Sequence, residues 1–151
     1  MTIKDQIHTE LETVRVLHDG VIRAGDVVDW AKGNPDSTLH KQFQWNDSVA
    51  AEKYRLSQAR SLIRLVVTVP HREAVKSRAY VSLPQDRSTA GGGYRAIREV
   101  MSDPERRAEL LQQALNDLAA FRRKYADISE LSVLFGQADK LLEENDKAET
   151  A

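Results

Sequence analysis

Cysteine is absent from the 151 residues of this chain. Its absence excludes a disulfide framework, a zinc site with cysteine ligands, an iron–sulfur cluster and a thiol nucleophile. Aromatic residues make up only 6% of the chain, but hydrophobic residues make up 41%, which is enough for a core at this length. No apolar run approaches the length of about 18 residues that marks a membrane-spanning helix. The polar start of the chain resembles no signal peptide. We therefore expect a cytoplasmic protein without membrane contact.

Signatures of catalysis and of metal binding are also missing. The four histidines are scattered, and none forms an HxxxH or HExxH pair. No serine lies in a nucleophile-elbow motif. Residues 91–93 are three glycines, but they lack the spacing of a phosphate-binding loop, and a hinge is the simpler interpretation. The sequence thus predicts a protein that is not an enzyme and that uses no cofactor or metal.

Positive charge is concentrated in the middle of the chain. Residues 53–87 contain eight Lys or Arg and two acids, a net charge of +6, whereas residues 1–52 have −4 and residues 88–151 have −3. The overall charge is only −1. Salt screens fields beyond about 8–10 Å, so a polyanion responds to the local charge rather than to the total. The pattern favours nucleic acid, and DNA in particular, as a partner.

Apolar spacing predicts the fold class as mainly α with a small β-hairpin (α+β). Helices are expected over residues 3–17, 24–32 and 47–66, and a hairpin over residues 65–83 with its loop at 71–75. This order matches a winged helix-turn-helix, in which the third helix enters the major groove. The connection at residues 33–46 is longer than the about 3–4 residues usual in that motif.

The chain is expected to divide near its glycine-rich segment. We predict a helical domain with the hairpin at residues 1–84, a flexible joint at 85–93, a C-terminal helical hairpin at 94–145 and a frayed tail at 146–151. The C-terminal part is expected to begin with a short helix over residues 94–101.

Candidate nucleic-acid contacts lie on the third helix and the hairpin. Lys and Arg supply much of the binding free energy of such proteins through phosphate contacts, and a hydroxyl or an amide, here Ser57 or Gln58, reads base edges. A solvated basic face without a partner remains the alternative. The predicted contact residues are Lys53, Ser57, Arg60, Arg64, Arg72, Lys76 and Arg78.

A string of motifs over residues 11–66 resembles a family of short phage and prophage proteins of unsettled role. The resemblance rests on three motifs: VLHDGVI at residues 16–22, TLHKQFQW at 38–45 and AAEKYRLSQARSLI at 50–63. The resemblance implies a virus-encoded or mobile-element protein made in a bacterial host cell. It brings no catalytic or binding residue to this chain.

Two groups of apolar residues are candidates for protein contacts. Leu111, Leu118, Phe121 and Tyr125 are predicted to mediate self-association, so that a homodimer is expected. Packing of these helices onto the N-terminal half of a monomer is the alternative. A second group of distinctive residues forms either a recognition patch or, through Phe43 and Trp45 with His40 at the rim, the filling of a groove over the helices at 24–32 and 47–66. Its members are Leu39, His40, Phe43, Trp45, Tyr54 and Arg55. The rival function is a protein–protein interaction module (phage assembly, adaptor or host-factor inhibitor) that contacts a host or viral protein and no nucleic acid.

Overall fold

A computed structural model of the chain describes residues 1–46, 48–68 and 77–150. The chain divides into two compact units, Met1–Arg106 and Arg107–Ala151. Helices predominate in both units, and the first also contains short antiparallel strands. The predicted fold class, mainly α with a small β-hairpin, is confirmed. Within the described residues, no helix combines the length and the apolar character needed to cross a membrane.

Three helices of the first unit lie within two residues of their predicted bounds: α1 (Ile3–Leu17), α2 (Ala24–Gly33) and α3 (Val49–Leu65). Side-chain caps explain two of the starting points. The Thr2 hydroxyl accepts a hydrogen bond from the Asp5 amide, and the Asp5 carboxylate accepts one from the Thr2 amide. The Ser48 hydroxyl accepts from the Ala51 amide at 3.1 Å.

The core of this unit lies between these helices. Its fully buried side chains come from α1, α2, α3 and the chain that connects α2 to α3, and from Ile22 and Tyr80 in two short extended segments. That connection contains a 3-10 turn at His40–Gln42 and is held by the Glu10 carboxylate, which accepts hydrogen bonds from the Thr38 and Leu39 amides at 2.8 and 2.7 Å. The members with 0% exposure include Leu11, Val14, Val27, Ala31, Leu39, Ala59 and Ile63.

In the part of the chain that the structure describes, five short strands form two antiparallel sheets. β2 (Val67–Thr68) pairs with β3 (Ser77–Arg78), as the predicted hairpin requires, although its predicted loop at 71–75 lies outside the described residues. β1 (Val21–Ile22), β5 (Tyr94–Ala96) and β4 (Tyr80–Val81) form the other sheet in the order β1-β5-β4. The order of α1, α2, α3 and hairpin is the winged-helix order, but β1 pairs with the distant β5.

The predicted boundary at residues 85–93 differs from the observed one. This segment contains most of α4 (Pro84–Ser88), and the buried Asp86 carboxylate accepts hydrogen bonds from the Arg95 guanidinium at 2.8 and 3.0 Å. A Cβ on Gly93 would lie 2.7 Å from the Val21 side chain, so glycine permits β5 to approach β1. The segment therefore belongs to the first unit, which continues through α5 (Ile97–Ser102) to Arg106.

The predicted helix over residues 94–101 was therefore wrong at its start. Residues Tyr94–Ala96 are a strand, because they pair with β1 and β4 on both sides. The helix α5 begins only at Ile97.

The second unit is an antiparallel pair of helices. α6 (Pro104–Lys124) starts in the first unit, where the Asp103 carboxylate caps it by accepting from the Glu105 and Arg106 amides. A 3-10 turn at Ser129–Leu131 leads to α7 (Ser132–Thr150). Arg122 donates to Asp139 at 3.2 Å, and Asn145 donates to Gln112 at 3.4 Å. These pairs give the antiparallel direction.

Most of the segment at residues 146–151, which the sequence predicts to fray, is helical in the structure. Helix α7 continues to Thr150, whose hydroxyl donates to the carbonyl of Asp146 at 3.0 Å, four residues earlier. The last residue, 151, lies outside the described part of the chain.

Candidate nucleic-acid interface

Helix α3 has a polar, cationic side that faces away from the core. Lys53, Ser57, Arg60 and Arg64 follow one another at spacings of 4, 3 and 4 residues, and all four are exposed. An α-helix turns about 100° per residue, so these positions stay within a narrow sector of its surface. We call this set the cationic stripe. Ala51, Ala59 and Ile63 are buried on the other side of α3 and fix its orientation.

The charges of the cationic stripe are unopposed within the part of the chain that the structure describes. No hydrogen bond or ion pair joins Lys53, Arg60 or Arg64 to another described residue. The only acid on α3 is Glu52, in its first turn. The donors of these three exposed cations are therefore not used by any described residue, and cations in this state can contact phosphates.

Arg55, the fourth cation of α3, makes contacts within the protein. Arg55 donates from Nη1 to the carbonyls of Gln44 and Asn46 at 2.9 and 3.0 Å, and its guanidinium carbon lies 5.4 Å from the centre of the Trp45 ring. These contacts fasten the connection between α2 and α3 to the start of α3. Arg55 is thus a structural cation and lies outside the cationic stripe.

The aromatic residues of the connection pack rather than form a free patch. Phe43 is buried, and the Trp45 ring lies at 5.6 Å from it and stacks on His40 at 4.6 Å. The Trp45 indole donates to the carbonyl of His40 at 3.0 Å, and the His40 ring contacts the carbonyl of Ala31 at 2.8 Å. This arrangement matches the interpretation in which these residues fill a groove between helices.

The hairpin adds one described cation. Arg78 is exposed and pairs with Val67 in the β2–β3 ladder. Val67 comes only two residues after the end of α3. The ladder therefore brings the Arg78 backbone to the C-terminal end of α3. Arg72 and Lys76, the other predicted hairpin contacts, lie outside the described residues.

A groove of about 420 Å³ runs beside the cationic stripe, and the sequence interpretation did not identify it. We call it the α3 groove. Gln58, predicted to read base edges, lines it and donates its amide to the carbonyl of Gln42 at 3.1 Å. The sequence does contain a sign of this groove. Each residue that directly follows a member of the stripe lies about 100° further around the helix, and these residues line the groove. The α3 groove is lined by Gln42, Tyr54, Ser57, Gln58, Ser61, Leu62 and Leu65.

The predicted protein-contact residues lie on α6. Leu111 is 51% exposed and Phe121 39% exposed, whereas Leu118 and Tyr125 are half-buried. Phe121 contacts both Tyr125, at 4.9 Å between ring centres, and Phe135 of α7, at 6.2 Å. On α7, Leu134 and Leu141 are also exposed, by 49% and 52%. Both helices of the second unit therefore present apolar side chains to solvent.

Within residues 1–46, 48–68 and 77–150, no three His, Asp or Glu side chains are grouped so that they could hold a metal ion.

No family model, no curated protein and no solved structure matches this chain. The resemblance to short phage and prophage proteins stays a prediction of the sequence.

Proposed function

We propose that this protein binds nucleic acid without catalysing a reaction, and that the cationic stripe of α3 provides the main contact. The observation that supports the proposal most is that Lys53, Arg60 and Arg64 share one exposed side of a helix and have no partner among the described residues. Lysine and arginine in such a position release counterions from the phosphate backbone when they bind it, and this release favours binding.

The hairpin extends this contact. Arg78 lies at the C-terminal end of α3, and Arg72 and Lys76 belong to the same sequence segment. Ser57, between the cations of the stripe, supplies a hydroxyl that can donate to a phosphate or to a base edge. The contact is therefore mainly electrostatic, with little sequence information of its own.

The second unit serves self-association in this proposal. Leu111 and Phe121 on α6, and Leu134 and Leu141 on α7, are apolar side chains exposed on a two-helix unit. Burying such side chains against a second copy removes apolar surface from water, which is the dominant favourable term in association. Two copies then present two cationic stripes. We also infer, from the sequence resemblance, a phage or prophage origin and a place in the bacterial cytoplasm.

The test is binding of a fluorescently labelled DNA duplex, followed by anisotropy at low salt. Changing Lys53, Arg60 and Arg64 together to Ala is expected to weaken binding at least about tenfold, because three phosphate contacts are lost. The matched control changes Lys4, Lys32 and Arg98 to Ala, since these three are also exposed cations of the first unit. This control removes the same charge and is expected to bind within about twofold of the wild type.

Equal losses in the two triple variants would mean that only net charge matters, and would contradict a role for the stripe. Absence of DNA binding by the wild type would favour the rival function, a protein–protein interaction module that uses the exposed apolar residues of α6 and α7.

A further inference from the structure

The α3 groove lies directly alongside the cationic stripe. Tyr54, Gln58, Ser61 and Leu65 line the groove, and each directly follows a member of the stripe in sequence. Because the helix turns about 100° per residue, the two sets form parallel strips along the same helix. A nucleic-acid strand whose phosphates contact the cationic stripe can therefore place its bases next to the α3 groove.

The α3 groove has the composition of a site for flat, partly apolar groups. Tyr54 is 55% exposed and Leu65 is 45% exposed, so both offer apolar surface to a group bound in the groove. Leu62 lies between them and packs partly on the core. An exposed aromatic ring beside a row of cations is an arrangement on which unpaired bases stack while their phosphates meet the cations.

The polar residues of the α3 groove suit the edges of such groups. Ser57 and Ser61 contribute exposed hydroxyls. The Gln58 amide nitrogen is used by the Gln42 carbonyl, and its oxygen is buried without a hydrogen-bond partner among the described residues. The Gln58 amide is therefore engaged or buried, and the hydroxyls of Ser57 and Ser61 are the groups that can pair with base edges.

We propose that the α3 groove binds unpaired bases, so that the nucleic acid recognised by this protein is single-stranded. This inference rests on the proposed function, because the cationic stripe must hold the phosphates that bring the bases into place. In a duplex the faces of the bases are stacked on each other, so Tyr54 would have access only to base edges and backbone. A single strand offers base faces to Tyr54 and Leu65 together with phosphates to Lys53, Arg60 and Arg64.

The test compares a labelled oligothymidine of roughly 20 nucleotides with a duplex of the same length, both titrated with the full chain. The wild type is expected to bind the single strand more tightly than the duplex. Replacing Tyr54 by Leu removes the ring and keeps an apolar side chain, and is expected to weaken single-strand binding roughly 5- to 100-fold. Duplex binding should change less than about twofold, because phosphate contacts are unchanged.

Tyr54→Phe is the matched control, since it keeps the stacking ring and loses only the hydroxyl. It is expected to bind the single strand within about twofold of the wild type. Leu65→Ser is a second groove variant, expected to weaken single-strand binding in the same direction as Tyr54→Leu. The circular dichroism of each variant reports whether α3 still folds.

The outcomes separate this inference from the proposed function. If single strand and duplex bind equally and Tyr54→Leu alters neither, the groove does not hold bases, while the cationic stripe still contacts phosphates. If neither DNA form binds, both the inference and the proposed function are overturned.

Discussion

Glu12 lies at the centre of a hydrogen-bonded group in the first unit. Its carboxylate accepts hydrogen bonds from the Tyr80 hydroxyl at 2.6 Å and from Arg15 at 3.0 and 3.2 Å. Burial by itself would raise the pKa of Glu12, but these hydrogen bonds outweigh it and lower the pKa below the ordinary 4.5. Burial, and then the contact with Glu12, raises the pKa of the Tyr80 phenol far above its ordinary range.

Replacing Tyr80 by Phe is expected to reduce the free energy of unfolding by about 1–3 kcal/mol, because a partly buried charged acceptor loses a donor. Urea unfolding at neutral pH measures this change. Tyr94→Phe is the matched control, because the Tyr94 hydroxyl makes no hydrogen bond to a described residue and Tyr94 is half-buried at the edge of the core. A loss of similar size in the control would show that the Tyr80–Glu12 hydrogen bond contributes nothing of its own.

Glu12 also makes the stability of the first unit depend on pH. Since the pKa of Glu12 is lower in the folded than in the unfolded chain, its stabilisation is present above the unfolded value and is lost as the pH falls through the folded value. Tyr80→Phe removes one cause of the lowered pKa. The variant is therefore expected to lose less stability than the wild type between neutral pH and the acid range.

At the scale of elements, local signals in the sequence were sufficient for the helices. Apolar spacing predicted bounds for α1, α2 and α3 that lie within two residues of the structure, and the side-chain caps at Thr2, Ser48 and Asp103 act over equally short distances. Both signals act within a few residues, so one sequence contains them completely. The cationic stripe was predictable for the same reason, because its spacing is a property of α3 alone.

The sheet and the α3 groove depend on contacts between distant segments. β1 and β5 pair through Val21↔Arg95 and Ile22↔Tyr94, and strands of two or three residues are too short to show an alternating pattern. The glycines before β5 therefore suggested a joint, although Gly93 is where β5 approaches Val21. The α3 groove needs Gln42 from the connection beside α3, a contact that helical spacing does not reveal.

Self-association is expected to occur through exposed apolar side chains of α6 and α7. Leu141→Lys on α7 and Leu111→Lys on α6 are each expected to raise the dimer dissociation constant at least about tenfold, because a charge would be placed in an apolar contact. Sedimentation equilibrium of the full chain measures this constant. Val133→Lys is the matched control, since Val133 is 80% exposed on α7 but lies about 80° around that helix from Leu141.

A wild type that stays monomeric at every concentration would contradict self-association. Equal effects of Leu141→Lys and Val133→Lys would show that the face of α7 does not matter.

At the scale of the whole molecule, charge is divided between the two units. Residues 1–106 have a net charge of +2, and residues 107–151 have −3, because they contain six bases and nine acids. Phosphates repel the acidic second unit, so nucleic-acid contact is expected at the first unit alone. A net charge near zero also gives little long-range attraction, and binding then depends on short-range contacts of the cationic stripe.

The salt dependence of DNA binding tests this claim most directly. Each phosphate contact contributes about −0.9 to the slope of the logarithm of the association constant against the logarithm of salt concentration for a duplex. The account predicts a steep slope for the wild type. Changing Lys53, Arg60 and Arg64 to Ala should make the slope shallower by about 2.7, three times that contribution. A flat slope for the wild type, or an equal slope for the triple variant, would contradict the account.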